Sequence, residues 1–467
     1  MFSENSSSSY SDFLLKKDIM YQSHGHECHA DLSCAFPFQR DIVKWACRKG
    51  RAAVCADCGM GKTLISLKWA ESVCKETSGN VLILAPLAVS KQTRREGVKF
   101  GVDVNICRIQ NDVKDGINIT NYEMLNHFDP REFDGIVIDE SSILKSYSGA
   151  IRNQIITTFS NTPYRLSCTA TPAPNDHMEL GNQSEFIGAL TRTEMLAMFF
   201  VHDGGDTSQW RLKKHAVLDF WKWLSSWCVM IKKPSDIGYD DDGFILPELT
   251  INYHKVDIGK PLPGELFKKD AVTLDDQREA RRVSIPKRLD VVNRLVSEKP
   301  DEQWLIWSDL NIECDALKKT IPGVVDVRGT DTIEFKEKAL IGFSTCEVKI
   351  LSSKAKIAGH GMNFQSCHNM IFFGLSHSYE SMYQAIRRCW RFGQKHPVNV
   401  HIVISDIEQP VIDSIERKHV LAESMSIEMV KNMADFTSAE IKQTRKETTE
   451  YNSSATMKLP NFFGGTS

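Results

Sequence analysis

Eight consecutive residues, Ala56-Asp57-Cys58-Gly59-Met60-Gly61-Lys62-Thr63, have the types and spacing that hold a polyphosphate. Gly59 and Gly61 let backbone N–H groups crowd around an anion. Lys62 carries an ammonium to its outer phosphates, and the Thr63 hydroxyl suits Mg²⁺. A second chemical group, Asp139-Glu140, ends the apolar run Gly135-Ile136-Val137-Ile138. A buried parallel strand delivers such carboxylates at its carboxyl end, where Asp139 would hold Mg²⁺ and Glu140 would polarise an attacking water. A third group is cationic: Arg387, Arg388 and Arg391 stand beside Trp390 and Phe392. The segment Tyr383 to Phe392 reads as a helix on which Arg388 and Arg391 share a face, able to stabilise charge on a transferring phosphoryl group. The alternative there is a solvated basic helix.

These groups need elements to carry them. Ala52 to Cys55 reads as a short buried strand and Leu64 to Val73 as an amphipathic helix, which places the glycine-rich loop at a helix N-terminus, where the dipole favours anions. Tyr164 to Cys168 is a further strand, leading to Thr169-Ala170-Thr171-Pro172, whose hydroxyls could bond the acidic pair and report loss of a phosphate. Val81 to Ala85 is another, followed by a helix with Lys91, Arg94 and Arg95, which is either a nucleic-acid phosphate site or a solvated face. Gln39, after Phe36-Pro37-Phe38, has an amide that can donate to and accept from an adenine edge, although a glutamine at a helix start is commonplace. In the second half Trp304–Trp307, Val324–Val327, Val348–Leu351, Met370–Phe373 and Val400–Val403 alternate with helical segments, the pattern of a second parallel α/β sheet. Gly359 and Gly361 would permit close backbone approach of a ligand.

A chain of 467 residues has room for two or three domains, and its net charge of −3 excludes a global positive field, so a polyanion must be held in a local groove. No apolar run of membrane-spanning length occurs, and the Ser-rich start does not read as a signal peptide. Thirteen scattered cysteines, an odd number, suggest free thiols in a reducing cytoplasm. His24, His26, Cys28, His29 and Cys34 match no standard zinc spacing, and the C-x-x-C of Cys55 and Cys58 falls inside the phosphate loop, where coincidence outweighs redox chemistry. Asp275 to Arg288 reads as a self-compensating charged helix or the lining of a groove. Phe220, Leu224, Trp227 and Ile231 fall on one helical stripe, so the tryptophan-rich run is expected in a core. Beyond Ser424 the chain turns polar, and Phe462-Phe463 near its end could dock on a protein partner.

In order, Phe38-Gln39, Gly59 to Thr63, Asp139-Glu140 and Thr169 to Pro172 resemble the first motor lobe of superfamily two helicases. Lys356 to Phe364 and Gln384 to Gln394 resemble the late motifs of the Swi/Snf-type DNA translocases, as do Phe220 to Leu224, Val229 to Pro234 and Leu246 to Leu249 in the middle. The sequence is also similar to compact helicase-like proteins of bacteriophages. Ser141-Ser142, Cys58 and Ala358 depart from the family's usual residues. The resemblance implies two tandem RecA-like lobes with ATP and Mg²⁺ in the cleft between them. It places Gln39 and residues 56 to 63 on the nucleotide, Thr63 and Asp139 on the metal, and Glu140, Arg388 and Arg391 in catalysis. Thr169, Thr171, Gly361 and Gln384 would couple the sites. The expected divisions are a polar tail (1–35), lobe one with a helical extension (36–250), a charged linker (251–289), lobe two (290–423) and a second polar tail (424–467). The implied activity is that of a monomeric motor translocating on duplex DNA, with a strand-separating helicase on DNA or RNA, or an ATP-switched clamp, as alternatives.

Overall fold

The computed structural model describes residues 20–443 apart from 87–88, 146–148, 174–175, 204–205, 260, 262–266, 268, 272 and 359–361. Gly361 and the Phe462-Phe463 pair lie outside the described residues.

Short, largely buried runs form the first sheet: β1 (Arg51–Ala56), β2 (Val81–Ala85), β3 (Asn105–Ile106), β4 (Ile117–Asn121), β5 (Gly135–Asp139) and β6 (Tyr164–Thr169). An antiparallel hairpin, β7 (Phe200–Asp203) and β8 (Asp206–Leu212), stands apart, and β9 (Cys228–Ile231) completes the sheet in the order β3-β4-β2-β5-β6-β1-β9. Every pairing in it is parallel. Both faces are therefore covered, and the period of two sorts β1 accordingly: Ala53 and Cys55 join one apolar core, Ala52, Val54 and Ala56 the other. The second sheet holds β10 (Leu249–Val256), β11 (Trp304–Ser308), β12 (Val324–Val327), β13 (Ile350–Ser353), β14 (Asn369–Phe373) and β15 (Val398–Ser405), all parallel, in the order β10-β15-β14-β11-β13-β12. These are the two tandem RecA-like parallel sheets that the sequence implies.

Seven helices matter for the site. They are α1 (Pro37–Lys49), α2 (Lys62–Thr77), α3 (Ser90–Lys99), α4 (Val217–Ser225), α5 (Leu274–Glu298), α6 (Tyr379–Ile386) and α7 (Gln409–Lys442).

Four sequence-based expectations are corrected here. Residues 251–289 are not a free linker: β10 is an edge strand of the second sheet, paired along its length with β15, and α5 packs on the same lobe. The polar stretch after Ser424 is helix to Lys442, because Met425, Met429 and Met433 recur at helical spacing and enter the first lobe's core. Residues 20–35 are attached to lobe one, not a loose tail: the N–H groups of His24, Gly25 and His26 donate to the carbonyls of Lys49, Arg48 and Cys47. His26 and His29 bond to Ser72 and Glu76 of α2. The Phe220-to-Ile231 stripe breaks at Ser225, where α4 ends; Trp227 is in the connection and Ile231 on β9, yet all four stripe residues are buried. Core placement was right and the helical reason was not.

Within lobe two, Arg288 of α5 and Glu313 are both fully buried and meet at 2.8 Å, with the guanidinium also over the Phe373 ring. Glu313 in turn accepts from the N–H groups of Asp309 and Leu310. Removing one partner of such a pair strands the other charge without water. Glu313→Ala is expected to destabilise lobe two by about 3–5 kcal/mol, read as a lowered urea midpoint of that lobe's transition.

Candidate functional site

Strand order brings the chemistry together. β5, β6 and β1 are neighbours, with Asp139 opposite Cys168 and Cys55 opposite Thr169. Their carboxyl ends therefore set the acidic pair, the Thr169–Thr171 turn and the phosphate loop side by side, where parallel α/β sheets place their sites.

The loop leads into α2 through Gly61, and both glycines that flank Met60 have positive φ, +94° at Gly59 and +87° at Gly61. Neither position has room for a side chain. A Cβ on Gly61 would lie 2.2 Å from the Gln39 amide nitrogen, and one on Gly59 would lie 3.0 Å from Phe392 of the other lobe. Gln39 is buried; its carbonyl oxygen accepts from the Phe36 N–H and its amide donates to the Met60 carbonyl, each at 3.0 Å. Its geometry thus serves the loop's shape. Met60 points into the core rather than toward the site, and Ala56 is a buried strand residue. The Lys62 ammonium lies 2.9 Å from the Ala56 carbonyl oxygen.

A cavity of about 370 Å³ is lined from lobe one by Gln39, Cys58, Gly59, Gly61, Lys62 and Thr63, together with Asp139 and Glu140. From lobe two it receives Arg387, Arg388 and Arg391. Aromatic rings close one end, where Phe244 stacks near Phe392 at 4.7 Å and Phe36 meets Phe244 edge-on at 5.1 Å.

Several polar atoms of the residues lining this cavity are buried without a partner among the described residues: Glu140 Oε2, Arg387 Nε and Arg391 Nε. Glu140 also holds a positive φ of 55°, an uncommon backbone conformation for a residue with a Cβ and one that clusters at functional sites. Burial first, and the adjacent Glu140 charge second, push the Asp139 carboxyl up to about 7, opposed by Lys62. Burial and neighbouring Arg388 push the Arg391 guanidinium down. A buried Asp139 carboxyl that disfavours its own charge, beside guanidinium groups crowded together, is a set that a phosphate with a divalent cation would satisfy. The residues present fit Mg²⁺ with a nucleoside triphosphate.

The arginines do not sit on a helix as the spacing suggests. α6 ends at Ile386, and the turns that follow carry Arg387, Arg388 and Arg391. Arg388 donates to the Gln384 carbonyl at 2.9 Å, and Arg387 reaches the phosphate loop itself, pairing with Asp57 at 3.1 Å. Tyr383 is thus a site residue that the sequence pattern does not single out, and Arg387, grouped there with Arg388 and Arg391, has a partner in lobe one that the pattern does not name. Their i, i+4 spacing was visible, but nothing in the sequence names a partner more than three hundred residues away.

A larger cavity, about 1310 Å³, opens between the lobes and is lined by Lys91, Arg95, Arg108, Lys336, Lys395 and Gln384, among others. Lys91 pairs across it with Glu337 of lobe two. Arg94 does not line it. Thr171 accompanies Lys145 in bonding Glu380 of α6, and its N–H donates to Thr169 Oγ1 at 3.1 Å.

Residues 37–174 match the family described as the res subunit of type III restriction enzymes, and residues 287–393 match the helicase conserved C-terminal domain. Each match centres on one lobe. In these two segments the chain is similar to superfamily two helicases, and the proteins it resembles over most of its length are SWI/SNF-related. It is 25% identical to the SWI/SNF-related matrix-associated actin-dependent regulator of chromatin subfamily A-like protein 1 of Xenopus tropicalis, over 79% of this chain and 42% of that protein. The Xenopus laevis counterpart gives 25% over 79% and 41%. The bifunctional helicase and thymine dioxygenase JBP2 of Leishmania braziliensis is 29% identical over 28% of this chain and 12% of its own length. The chain spans about two fifths of the length of the two Xenopus relatives. Among solved structures, the Sulfolobus solfataricus SWI2/SNF2 ATPase core in complex with dsDNA is similar with a TM-score of 0.41 and 17% identity, covering 89% of this chain and 98% of that one. Among the described residues no helix is long and apolar enough to cross a membrane.

The Asp139 shift has a sign that can be tested. Its folded value lies above the unfolded one, so the folded chain keeps a proton that the unfolded chain releases, and stability falls as pH rises from about 4 to 7. Asp139→Asn is therefore expected to raise the thermal midpoint at pH 8, with a chelator present, and to lose that advantage below about pH 4.

Proposed function

We propose that this protein is a DNA-dependent ATPase that couples hydrolysis to translocation along duplex DNA. The observation that carries the reading is the single cavity that joins Lys62, Thr63, Asp139 and Glu140 of one lobe to Arg387, Arg388 and Arg391 of the other. Neither lobe owns a complete set, so hydrolysis depends on closure of the cleft, and bound DNA can promote it by favouring the closed arrangement.

In this reading Lys62 binds the outer phosphates and the N–H groups around Gly59 and Gly61 cradle them. Thr63 and Asp139 would hold Mg²⁺, which when bound neutralises phosphate charge. Glu140, its Oε2 unpartnered, accepts a hydrogen bond from the attacking water and polarises it. Arg388 and Arg391 stabilise the charge that develops on the transferred phosphoryl group. Gln39 fixes the loop and, through its remaining amide hydrogen, can meet the base. Thr169, Thr171, Gly361 and Gln384 are assigned to coupling, which the Thr171–Glu380 contact between lobes supports for Thr171.

The nucleic-acid track is the larger cavity, where Lys91 and Arg95 would contact phosphates and Arg94 flanks them. Its cations are interspersed with Glu123 and Glu337, so binding is expected to be modest and salt-sensitive. Duplex DNA is preferred over single strands because the late motifs are of Swi/Snf type. The protein is assigned to the cytoplasm, acting as a monomer.

The test is steady-state ATPase with duplex DNA, single-stranded DNA and RNA offered in turn, beside a forked duplex and a triplex. Stimulation by duplex and displacement of the third strand are expected; fork unwinding with an untouched triplex would establish a strand-separating helicase instead. Lys62→Ala is expected to abolish turnover. Glu140→Gln should retain nucleotide binding and lose about 10²–10⁴ in rate, and Arg391→Ala about 10³–10⁵. Replacing Lys91 and Arg95 together by Ala should make the salt dependence of duplex binding shallower, by about 0.9 for each phosphate that is no longer neutralised.

A further inference from the structure

The stripe Glu380, Tyr383 and Arg387 occupies one face of α6 and its first following turn, at i, i+3 and i+7, and all three side chains cross to lobe one. Glu380 meets Lys145 and Thr171. Tyr383 donates its hydroxyl to Asp57 Oδ1 at 2.8 Å, and Arg387 Nη2 lies 3.1 Å from Asp57 Oδ2 and also bonds the Cys58 carbonyl. Both Asp57 oxygens are thereby held by lobe two.

We infer that Asp57 acts as an internal stand-in for a phosphate, clasped by Tyr383 and Arg387 so that the lobes are drawn together at the phosphate loop until a triphosphate takes over the guanidinium. The inference rests on the nucleotide reading of the cavity and adds a positioning role for residues outside the expected catalytic set. Three features point the same way. Arg387 is 3% exposed and stands with Arg388 and Arg391 on one cavity wall, so a counter-anion is required there. Its Nε is buried with no partner among the described residues, so the Asp57 pairing leaves the hydrogen-bonding capacity of the guanidinium unfilled. And Asp57 belongs to the very loop that would cradle the phosphates, so a carboxylate paired with Arg387 and a phosphate competing for the same cation are close neighbours.

The roles of the two partners then predict effects of opposite sign. Asp57→Asn strands the Arg387 charge and removes its competitor, so a non-hydrolysable ATP analogue should bind about tenfold tighter. Arg387→Gln frees a carboxylate beside the phosphate loop and removes a cation, so the analogue should bind about tenfold more weakly. A clasp that merely stiffened the loop would weaken binding in both variants, and that result would overturn the inference.

A second measurement dispenses with nucleotide. Amide hydrogen exchange over residues 55–61 and 383–392 should quicken about tenfold in each single variant, and the double variant should add little to either. Unchanged exchange, or fully additive effects, would overturn the clasp. If Arg387→Gln does not fold, Arg387→Lys, which keeps the charge and loses the forked grip, must shift exchange in the same direction by a smaller amount. Failure of the wild-type protein to bind the analogue at all would remove the nucleotide reading, whereas the exchange measurement judges the clasp on its own.

Discussion

Five cations, Lys62, Lys99, Arg387, Arg388 and Arg391, line a cavity of about 370 Å³, and their repulsion must be balanced by anions from the chain or from a ligand. That balance is the constraint on which the arrangement of the lobes rests. Lobe one contributes the carboxylates Asp57, Glu96, Asp139 and Glu140; lobe two contributes the three guanidinium groups. Asp57 is paired across the cleft, while among the described residues Glu140 and Arg391 keep buried polar atoms without partners. An incomplete set of pairings is costly in a low-dielectric site and is stable only when the surrounding fold imposes it. The parallel order β5-β6-β1 imposes it on one side, and the turn after α6 on the other.

The two sides are not joined by the cleft alone. α7 leaves lobe two with Val411, Ile412 and Ile415 in that lobe's core and arrives on lobe one with Met425, Met429 and Met433 in the other's. From Val411 to Met433 the helix runs about 33 Å at 1.5 Å per residue. Its end is fixed by Lys49, which pairs with Glu440 at 2.7 Å, and by Arg48, which donates to the Ile441 carbonyl at 3.1 Å. A continuous helix with both ends in apolar cores permits bending and pivoting of the lobes more readily than wide separation. Opening of the cleft is therefore restricted to movements that α7 can follow.

Fold and site were legible in the sequence to the extent that they are local. A Gly-x-Gly-Lys-Thr turn between a buried strand and a helix admits few other conformations, because positive φ at Gly59 and Gly61 and the helix N-terminus are set within a few residues. The strands of both sheets could be read from continuous apolar runs, and the burial of Phe220, Leu224, Trp227 and Ile231 from their apolar character, though not from a shared helix. Where periodicity was extended past a real break it failed: α4 stops at Ser225 and α6 at Ile386, because tertiary packing of the following strand and turn outweighs helix propensity there. What the tertiary structure alone decided is pairing at a distance. The edge position of β10, the reach of α7 into lobe one and the clasp of Asp57 by Tyr383 and Arg387 depend on strand order and lobe placement, which bring together residues separated by more than a hundred positions. Residue type and spacing determine which groups can bind a phosphate; only the folded chain determines which of them already hold one another.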